Sequence, residues 1–224
     1  GNRGVSSFCG SADLLEALGI NIEIKPEHAA KCLRDVGMVF LFAPLYHGAM
    51  KHAAGVRKEI GIRSIFNILG PLTNPLGAKK QLIGVYERTL TKTVATVLEK
   101  LGSTHVFVVH GDDGLDEISV SGATEISELK DGRIRTYDFN PKKYGIKREG
   151  LDAMKTSSKD ESVRRAMAVL QGKAGSDLDI VLVNAAFAIM ADDRAEEFGE
   201  ALAAARASVA GGAVAAVGTA GAAG

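Results

Sequence analysis

The feature that most constrains the fold is a strand–helix–strand pattern over residues 81–110. Two apolar runs of strand length, 81–86 and 104–110, flank a segment whose apolar residues recur at helical spacing. The apolar positions of that segment, residues 91–101, are Val94, Val97, Leu98 and Leu101. Because strand, helix and strand follow in this order, the sequence predicts two parallel strands joined by a right-handed crossover.

Further helices and strands are predicted on both sides of this unit. Five more helices are expected, over residues 11–18, 26–36, 50–60, 160–170 and 194–207. Ser11 can cap the first of them, Pro26 suits the first turn of the second, and glycines at 19, 37 and 61 end the first three. Two continuous apolar runs, 38–43 and 178–183, predict strands buried on both faces, and Asn184 is expected to open a helix after the second.

The segment from residue 117 to residue 139 shows a different pattern, in which apolar residues alternate with polar ones. Asp131-Gly132 within it is a tight-turn pair, so a small antiparallel section is expected. Together these patterns predict an α/β fold with a mostly parallel central sheet flanked by helices. We expect one domain over residues 1–209, followed by a low-complexity Gly/Ala tail over residues 210–224.

Composition narrows the classes of function. The chain of 224 residues carries 27 basic and 27 acidic side chains, and this zero net charge argues against a general binder of nucleic acids or membrane surfaces. Its two cysteines, Cys9 and Cys32, lack metal-like spacing and predict a reducing compartment, so we expect a cytoplasmic protein. The apolar runs are too short to span a bilayer, and no signal peptide is expected.

The run Gly111-Asp112-Asp113-Gly114-Leu115-Asp116-Glu117 places four carboxylates directly after a predicted buried strand. A hard divalent cation such as Mg²⁺ prefers oxygen ligands, commonly one or two carboxylates together with substrate phosphates. Ligands of open α/β sheets bind at the carboxyl ends of strands. The run therefore indicates a metal-assisted phosphate site, and the alternative is an acidic loop that only caps the strand.

The first residues, Gly1-Asn2-Arg3-Gly4-Val5-Ser6-Ser7, followed by Gly10-Ser11-Ala12-Asp13, suggest a phosphate site. Small residues let backbone N–H groups approach an anion, and the N-terminus of the helix near Ser11 would add a positive potential. Arg3 could add a charge-assisted contact. The alternative is a flexible terminus before an ordinary capped helix.

Further candidate site residues follow the predicted strand at 38–43. Arg57 offers a planar donor fork that suits a carboxylate or phosphate, and His47 precedes it in the chain. Gly70-Pro71 and Asn74-Pro75 predict a rigid double turn that could form the wall of a site for a planar aromatic ligand. The alternatives are a solvated helix face for Arg57, a surface position for His47 and a structural connector for the double turn.

Taken in order, these motifs resemble the anthranilate phosphoribosyltransferase family. The resemblance is carried by Gly1-Asn2-Arg3, Val5-Ser6-Ser7 and Gly10-Ser11-Ala12-Asp13, and by residues 42–44, 46–47, 49–51, 56–58, 61–75, 110–111, 114–117 and 184–186. The runs at 67–75 and 114–117 are the more specific ones. It implies a nucleoside phosphorylase/phosphoribosyltransferase-like large domain and a transferase of tryptophan biosynthesis. In that reaction the amine of anthranilate displaces diphosphate from C1 of 5-phosphoribosyl diphosphate.

The resemblance also implies roles for particular residues. Asp116 and Glu117 would hold Mg²⁺ on the diphosphate. The phosphoribosyl diphosphate site would include Gly1, Asn2, Arg3, Gly4, Val5, Ser6, Ser7 and Ser11. The anthranilate contacts would be Asn2, His47, Arg57, Gly70 and Pro71. No acid–base or nucleophilic residue is expected, since an aromatic amine is already nucleophilic and catalysis can rest on positioning and electrostatics.

The chain begins after the family's usual Lys-His pair and its upstream glycine-rich diphosphate loop. We therefore expect this portion alone to bind phosphoribosyl diphosphate poorly. We also expect the full-length protein to form a homodimer through a helical N-terminal lobe. Two other interpretations remain open at this point: an enzyme similar to pyrimidine-nucleoside phosphorylases, and a non-enzymatic relative that binds nucleic acid.

Overall fold

The computed structural model describes residues 1–4, 9–48, 59, 66–147 and 149–212, with residues 66 and 67 described by their backbone alone. The helices are α1 (Ser11–Ala17), α2 (Pro26–Val36), α3 (Ala43–Tyr46), α4 (Phe66–Leu72), α5 (Leu90–Lys100), α6 (Lys159–Leu170), α7 (Ser176–Ala191) and α8 (Phe198–Ala210). The strands are β1 (Lys80–Gly84), β2 (His105–Gly111), β3 (Thr124–Lys130) and β4 (Arg133–Phe139). Short 3₁₀ helices cover Pro141–Tyr144 and Leu151–Met154.

The chain divides into two compact units. The first comprises Gly1–Gly70, Thr156–Gln171 and Gly212–Gly224, and the second comprises Pro71–Lys155 and Gly172–Gly211. None of the described helices has the length and apolarity needed to cross a bilayer. The predicted domain over 1–209 and tail over 210–224 stay a prediction, since the structure describes nothing beyond residue 212.

The second unit is built on a mixed sheet with the strand order β1-β2-β3-β4. β1 and β2 are parallel, with Lys80 opposite His105 and Gly84 opposite Val109, and α5 connects them. β2 pairs with β3, and β3 with β4, in antiparallel fashion. The predicted α/β fold with an antiparallel section is confirmed, and among the described strands antiparallel pairing makes up two of the three pairs.

Burial of β2 on both faces explains its continuous apolar sequence. Residues 106–109 are all 0% exposed. Val106 and Val108 pack with α5 on one face of the sheet, while Phe107 and Val109 pack with α7 and α8 on the other. A strand covered on both faces loses the polar–apolar alternation that marks a half-exposed strand.

An aromatic cluster fills the core between the sheet and the last two helices. The ring of Phe187 on α7 meets the rings of Phe107, Phe139 and Phe198 at centroid distances of 5.1, 4.9 and 5.3 Å. The contacts with Phe107 and Phe139 are edge-to-face, which is a favourable arrangement for aromatic rings. This cluster joins β2, β4, α7 and α8.

The turn between β3 and β4 confirms the expectation from the Asp131-Gly132 pair. Both residues have positive φ, 49° and 72°, and they join Lys130 to Arg133, which are paired in the register. A two-residue turn of this hand matches the twist of the flanking strands.

The first unit contains the predicted early helices. α1 and α2 start at Ser11 and Pro26, and Gly19 and Gly37 follow them with φ of +84° each. The capping residue of α1 is Gly10 rather than the predicted Ser11. A small core of Ala12, Ile22 and Phe42, with Leu15 and Phe40 packed against it, holds this unit together.

The later helices match the predictions in kind. α6 spans almost the residues expected, and α8 begins four residues later than the predicted 194. The predicted helix over residues 50–60 lies outside the described residues apart from Glu59.

The predicted strand over 178–183 is wrong, because these residues form part of α7. A short apolar run suits a buried helix as well as a buried strand, and here it continues to residue 191. For the same reason Asn184 lies inside α7 and does not open a helix.

The predicted strand over 38–43 is also wrong. Residues 38–42 have no strand partner among the described residues, and α3 begins at Ala43. Two backbone hydrogen bonds join this segment to Gly1: the Gly1 nitrogen donates to the Leu41 carbonyl at 2.8 Å, and the Gly1 carbonyl accepts from the Ala43 N–H at 2.9 Å. Met38, at 57% exposure, does not lie in a buried sheet.

We predict that Phe187→Ala lowers the free energy of unfolding by about 3–5 kcal/mol, because the lost ring leaves a cavity between three other rings. Val181→Ala on the same helix is the control, since Val181 is 45% exposed, and it should change stability by less than about 0.5 kcal/mol. Urea unfolding of both variants measures the difference. Equal costs would contradict the role of Phe187 in the core.

Candidate functional site

The acidic loop begins where β2 ends, at Gly111, and its backbone forms a tight turn. The Gly111 N–H donates to the Leu115 carbonyl at 2.8 Å, and the Gly114 N–H donates to the Gly111 carbonyl at 2.9 Å. Gly114 has φ of +88°, which favours glycine at this position. This turn brings Asp116 and Glu117 back to the carboxyl end of the parallel pair.

Two of the four carboxylates of the loop are engaged within the protein. Asp112 pairs with Arg88 at 2.6 Å, and the same guanidinium pairs with Glu125 at 2.9 Å and with Asp138 at 2.8 Å. Asp113 accepts a short hydrogen bond from the Ser119 hydroxyl and another from the Leu115 N–H at 3.3 Å. Asp112 and Asp113 therefore hold the loop in shape.

The other two carboxylates, Asp116 and Glu117, are exposed, and no basic side chain in the described part of the chain pairs with either of them. Burial of the carboxyl group, and then the negative charge of Asp116, raise the pKa of Glu117 to about 7, although part of the side chain meets solvent. A bound cation would offset both effects by favouring the charged carboxylates. The pair therefore has the charge and the oxygen ligands that a divalent cation requires.

The chain at Asp116 packs closely against the end of β1. A β-carbon at Gly84 would overlap the carbonyl oxygen of Asp116, so only glycine permits this approach. The backbone that carries the candidate ligands is thus placed directly against the sheet.

Within the described residues, no group of three or more His, Cys, Asp or Glu side chains is arranged to hold a metal ion. The acidic loop supplies two carboxylates. Such a pair suits Mg²⁺, whose remaining ligands are commonly water and substrate phosphates. The donor set thus fits a magnesium ion that is bound together with a phosphate ligand.

The opening turn of the first unit is held by contacts with the start of α1. The Asn2 carbonyl accepts from the Ala12 N–H at 3.0 Å and from the Ser11 hydroxyl at 3.3 Å. The side-chain oxygen of Asn2 accepts from the Arg3 N–H at 2.9 Å. Asn2 and Ser11, both predicted to contact substrate, are therefore brought together at the surface.

Asp13 takes up several donors that were predicted for phosphate. Its carboxylate accepts from the N–H groups of Gly4 at 2.8 Å and Gly10 at 2.9 Å, and Arg3 pairs with it at 3.2 Å. These backbone donors, followed by Arg3, lower the pKa of Asp13 to about 2. Arg3 also pairs with Glu16 at 2.8 Å, so the structure directs its charge to α1 rather than to a free anion site.

The remaining predicted residues fall in different places. His47 follows α3 and is half-buried, while Gly70 and Pro71 lie inside α4. The predicted turn at Gly70-Pro71 is therefore wrong; the fixed φ of proline fits a helical turn, and only one backbone hydrogen bond is lost. The turn at Asn74 is confirmed, with its carbonyl accepting from the Gly77 N–H at 2.9 Å.

Four predicted site residues, Val5, Ser6, Ser7 and Arg57, lie outside the described residues. Their assignment stays a prediction. Two residues with evident structural roles at the acidic loop, Arg88 and Asn184, have no predicted site role, although residues 184–186 are among those that carry the family resemblance. Arg88 lies in an ordinary polar loop and gives no sequence pattern, whereas Asn184 is a polar residue inside an apolar helical run, which is a usable indication.

A family model described as glycosyl transferase family, a/b domain, matches residues 1–215. The chain belongs to this glycosyl transferase family. It is 54% identical over 216 residues to the anthranilate phosphoribosyltransferase of Moorella thermoacetica, a match that covers 96% of this chain and 64% of that protein. It is 48% identical over 213 residues to that of Nitrosomonas eutropha, covering 95% of this chain and 62% of the relative.

Solved structures agree with this glycosyl transferase assignment. The anthranilate phosphoribosyltransferase of Thermus thermophilus superimposes with a TM-score of 0.91 at 38% identity, covering 100% of this chain and 66% of that one. The anthranilate phosphoribosyltransferase of Saccharomyces cerevisiae, solved in complex with PRPP and Mg, superimposes with a TM-score of 0.87 at 27% identity. This match covers 98% of this chain and 62% of that one. The glycosyl transferase chain thus spans between 62% and 66% of the length of these four proteins.

We predict that Gly84→Ala destabilises this glycosyl transferase chain by about 1–3 kcal/mol, because the new methyl group must displace the Asp116 backbone. Gly199→Ala is the matched control: Gly199 is exposed on α8 with open space around it, so alanine should stabilise the helix by about 0.5–1 kcal/mol. Chemical denaturation gives both values. A neutral Gly84→Ala would contradict the close approach.

A second prediction concerns Asp13, whose pKa is lower in the folded protein than the value of about 4 that an aspartate has in an unfolded chain. At pH values above about 4 the charged carboxylate therefore stabilises the folded state. This contribution should disappear as the pH falls through about 2. Asp13→Asn should therefore be less stable than wild type at pH 7, with a smaller difference at pH 2. Unfolding curves at both pH values measure this, and Asp35→Asn, at an exposed aspartate on α2, is the control.

Proposed function

We propose that this chain is the α/β part of a cytoplasmic anthranilate phosphoribosyltransferase. The reaction transfers the phosphoribosyl group of 5-phosphoribosyl diphosphate to the amine of anthranilate, with release of diphosphate. The observation that carries the proposal is the division of the acidic loop: two carboxylates are used in the protein, and the two that remain, Asp116 and Glu117, are those the family resemblance assigns to the metal.

Asp116 and Glu117 would hold Mg²⁺. The bound ion would neutralise the charge of the diphosphate and so make it a better leaving group. Burial of the carboxyl group, and then the charge of Asp116, raise the pKa of Glu117, and a neighbouring cation would offset both effects, which supports this assignment. The yeast relative described with PRPP and Mg supports the same choice of ion.

Residues of the chain would bind and orient the organic substrates. Arg57 would hold the carboxylate of anthranilate, and its planar fork would fix the ring and the adjacent amine. By resemblance, Asn2, His47, Gly70 and Pro71 would contact the same ring. No residue is required as a general base, because the aromatic amine is already nucleophilic and catalysis rests on positioning.

The phosphoribosyl diphosphate contacts are proposed at Gly1 to Ser7 and at Ser11. The N–H groups of Gly4 and Gly10 both donate to the Asp13 carboxylate. These hydrogen bonds shape the turn, so the two N–H groups already have a partner within the protein. Asn2 and Ser11 are exposed and lie next to each other. A homodimer of the full-length protein is part of the same proposal.

We predict that Asp116→Asn combined with Glu117→Gln abolishes Mg²⁺-dependent turnover of anthranilate and 5-phosphoribosyl diphosphate in the full-length protein. The two substitutions keep the size of the side chains and remove both negative charges. Consumption of anthranilate at increasing Mg²⁺ concentration measures the effect.

The control is Asp112→Asn, which removes a carboxylate from the same loop but keeps a side-chain oxygen that can still accept from Arg88, so the loop keeps its shape and the weakened ion pair costs at most about 1 kcal/mol. This variant should keep Mg²⁺-dependent turnover. Wild-type activity in the double variant would refute the metal assignment. Phosphorolysis of thymidine or uridine, with no reaction of anthranilate, would instead favour a nucleoside phosphorylase.

A further inference from the structure

The side chain of Asn184 links the middle of α7 to the residue that follows Glu117. Its amide oxygen accepts from the Ile118 N–H at 3.0 Å, and its amide nitrogen donates to the Ile118 carbonyl at 2.9 Å. The same nitrogen donates to the Ile180 carbonyl, one turn earlier on α7, at 2.9 Å. One side chain therefore binds both backbone groups of Ile118, much as a neighbouring strand would.

Burial makes these hydrogen bonds consequential. Ile118 is 0% exposed, and its side chain belongs to the core cluster that α7 helps to form. A buried backbone group without a partner is costly, so the peptide groups of Ile118 depend on Asn184. The donation to the Ile180 carbonyl fixes the orientation of the amide, so that its oxygen and nitrogen cannot exchange places without losing contacts.

The two peptide groups on either side of Glu117 are both restrained. The carbonyl of Asp116, in the peptide before Glu117, packs against Gly84 on β1. The N–H of Ile118, in the peptide after Glu117, donates to Asn184. With both peptide planes held, the direction in which the Glu117 side chain leaves the backbone is also held.

The beginning of the loop has separate supports. Arg88 binds Asp112 at 2.6 Å, and the Asp112 N–H donates to the Ala123 carbonyl at 2.9 Å. These contacts restrain a residue that precedes the candidate ligands in the chain, whereas Asn184 restrains Ile118, which directly follows them. Asn184 is therefore the contact that ties this side of the ligand pair to a helix.

We propose that Asn184 is a positioning residue for the Asp116–Glu117 pair, setting the two carboxylates for a divalent cation without touching the cation itself. The inference rests on the proposed function, since it needs the pair to be a metal site. It predicts that loss of Asn184 weakens metal binding more than the accompanying loss of stability can explain. A purely structural Asn184 would lower stability and leave the metal affinity of the folded protein unchanged.

The test measures binding of Mn²⁺ alone, as a paramagnetic substitute for Mg²⁺, from the electron paramagnetic resonance signal of the free ion. Titrations are run well below the melting temperature of every variant, and the Asp116→Asn/Glu117→Gln variant supplies the background from other surface sites. Asn184→Ala should raise the Kd of the site by about 10–100-fold, the usual effect of removing a group that orients a metal ligand.

Val183→Ala is the matched control, because Val183 is the preceding residue on α7, is 0% exposed and leaves the three amide hydrogen bonds in place. It should lower stability and bind Mn²⁺ within about twofold of wild type, in contrast to the loss expected of Asn184→Ala. Equal weakening by Val183→Ala and Asn184→Ala would overturn the inference.

Asn184→Gln serves if Asn184→Ala does not fold. It keeps an uncharged amide but makes the side chain one methylene longer, so the amide no longer matches the Ile118 backbone; the Ile118 N–H should lose protection from hydrogen exchange, and Mn²⁺ affinity should fall. Wild-type affinity in Asn184→Gln together with an unprotected Ile118 N–H would overturn the positioning role. If the Asp116/Glu117 double variant itself binds Mn²⁺ like wild type, the metal assignment of the proposed function fails instead.

Discussion

Burial of β2 on both faces is the constraint on which the second unit depends. Residues 106–109 are fully covered by α5 on one side and by α7 and α8 on the other, so the strand cannot shift without exposing apolar side chains. Its carboxyl end, at Gly111, is thereby fixed in space. The acidic loop begins from this fixed point, which is why a short, exposed turn can hold two carboxylates in a defined place.

Hydrogen bonding divides four similar residues into two kinds. Asp112 pairs with Arg88, and Asp113 accepts from the Ser119 hydroxyl and the Leu115 N–H, so these two carboxylates give the loop its shape. Burial of its carboxyl group, and then the negative charge of Asp116, raise the pKa of Glu117. The same loop thus contains its own scaffold and its own candidate ligands, and the pattern of partners distinguishes them where residue type does not.

Sequence reasoning succeeded where one local pattern had one structural meaning. The crossover unit over residues 81–110, the Asp131-Gly132 turn and the proline-started α2 were predicted because periodicity, positive φ and proline geometry act locally. It failed at residues 178–183, where a continuous apolar run fits a helix or a strand equally. It failed at residues 38–43 because a strand also needs a partner, and the choice of partner is not written in the run itself.

The sequence by itself determined the family, the order of most elements of the second unit and the position of the acidic loop after β2, since these follow from motifs and from local periodicity. Only the tertiary structure decided which carboxylates of the acidic loop pair with other described residues, that Asp13 takes the N–H groups of Gly4 and Gly10, and that Asn184 binds the backbone of Ile118. The physical reason is that the contacts of the acidic loop join residues far apart in the chain, while the Asp13 contacts, which span nine and three positions, depend on how the opening turn folds. Asn184 lies 66 positions after Ile118, and no local pattern records that contact.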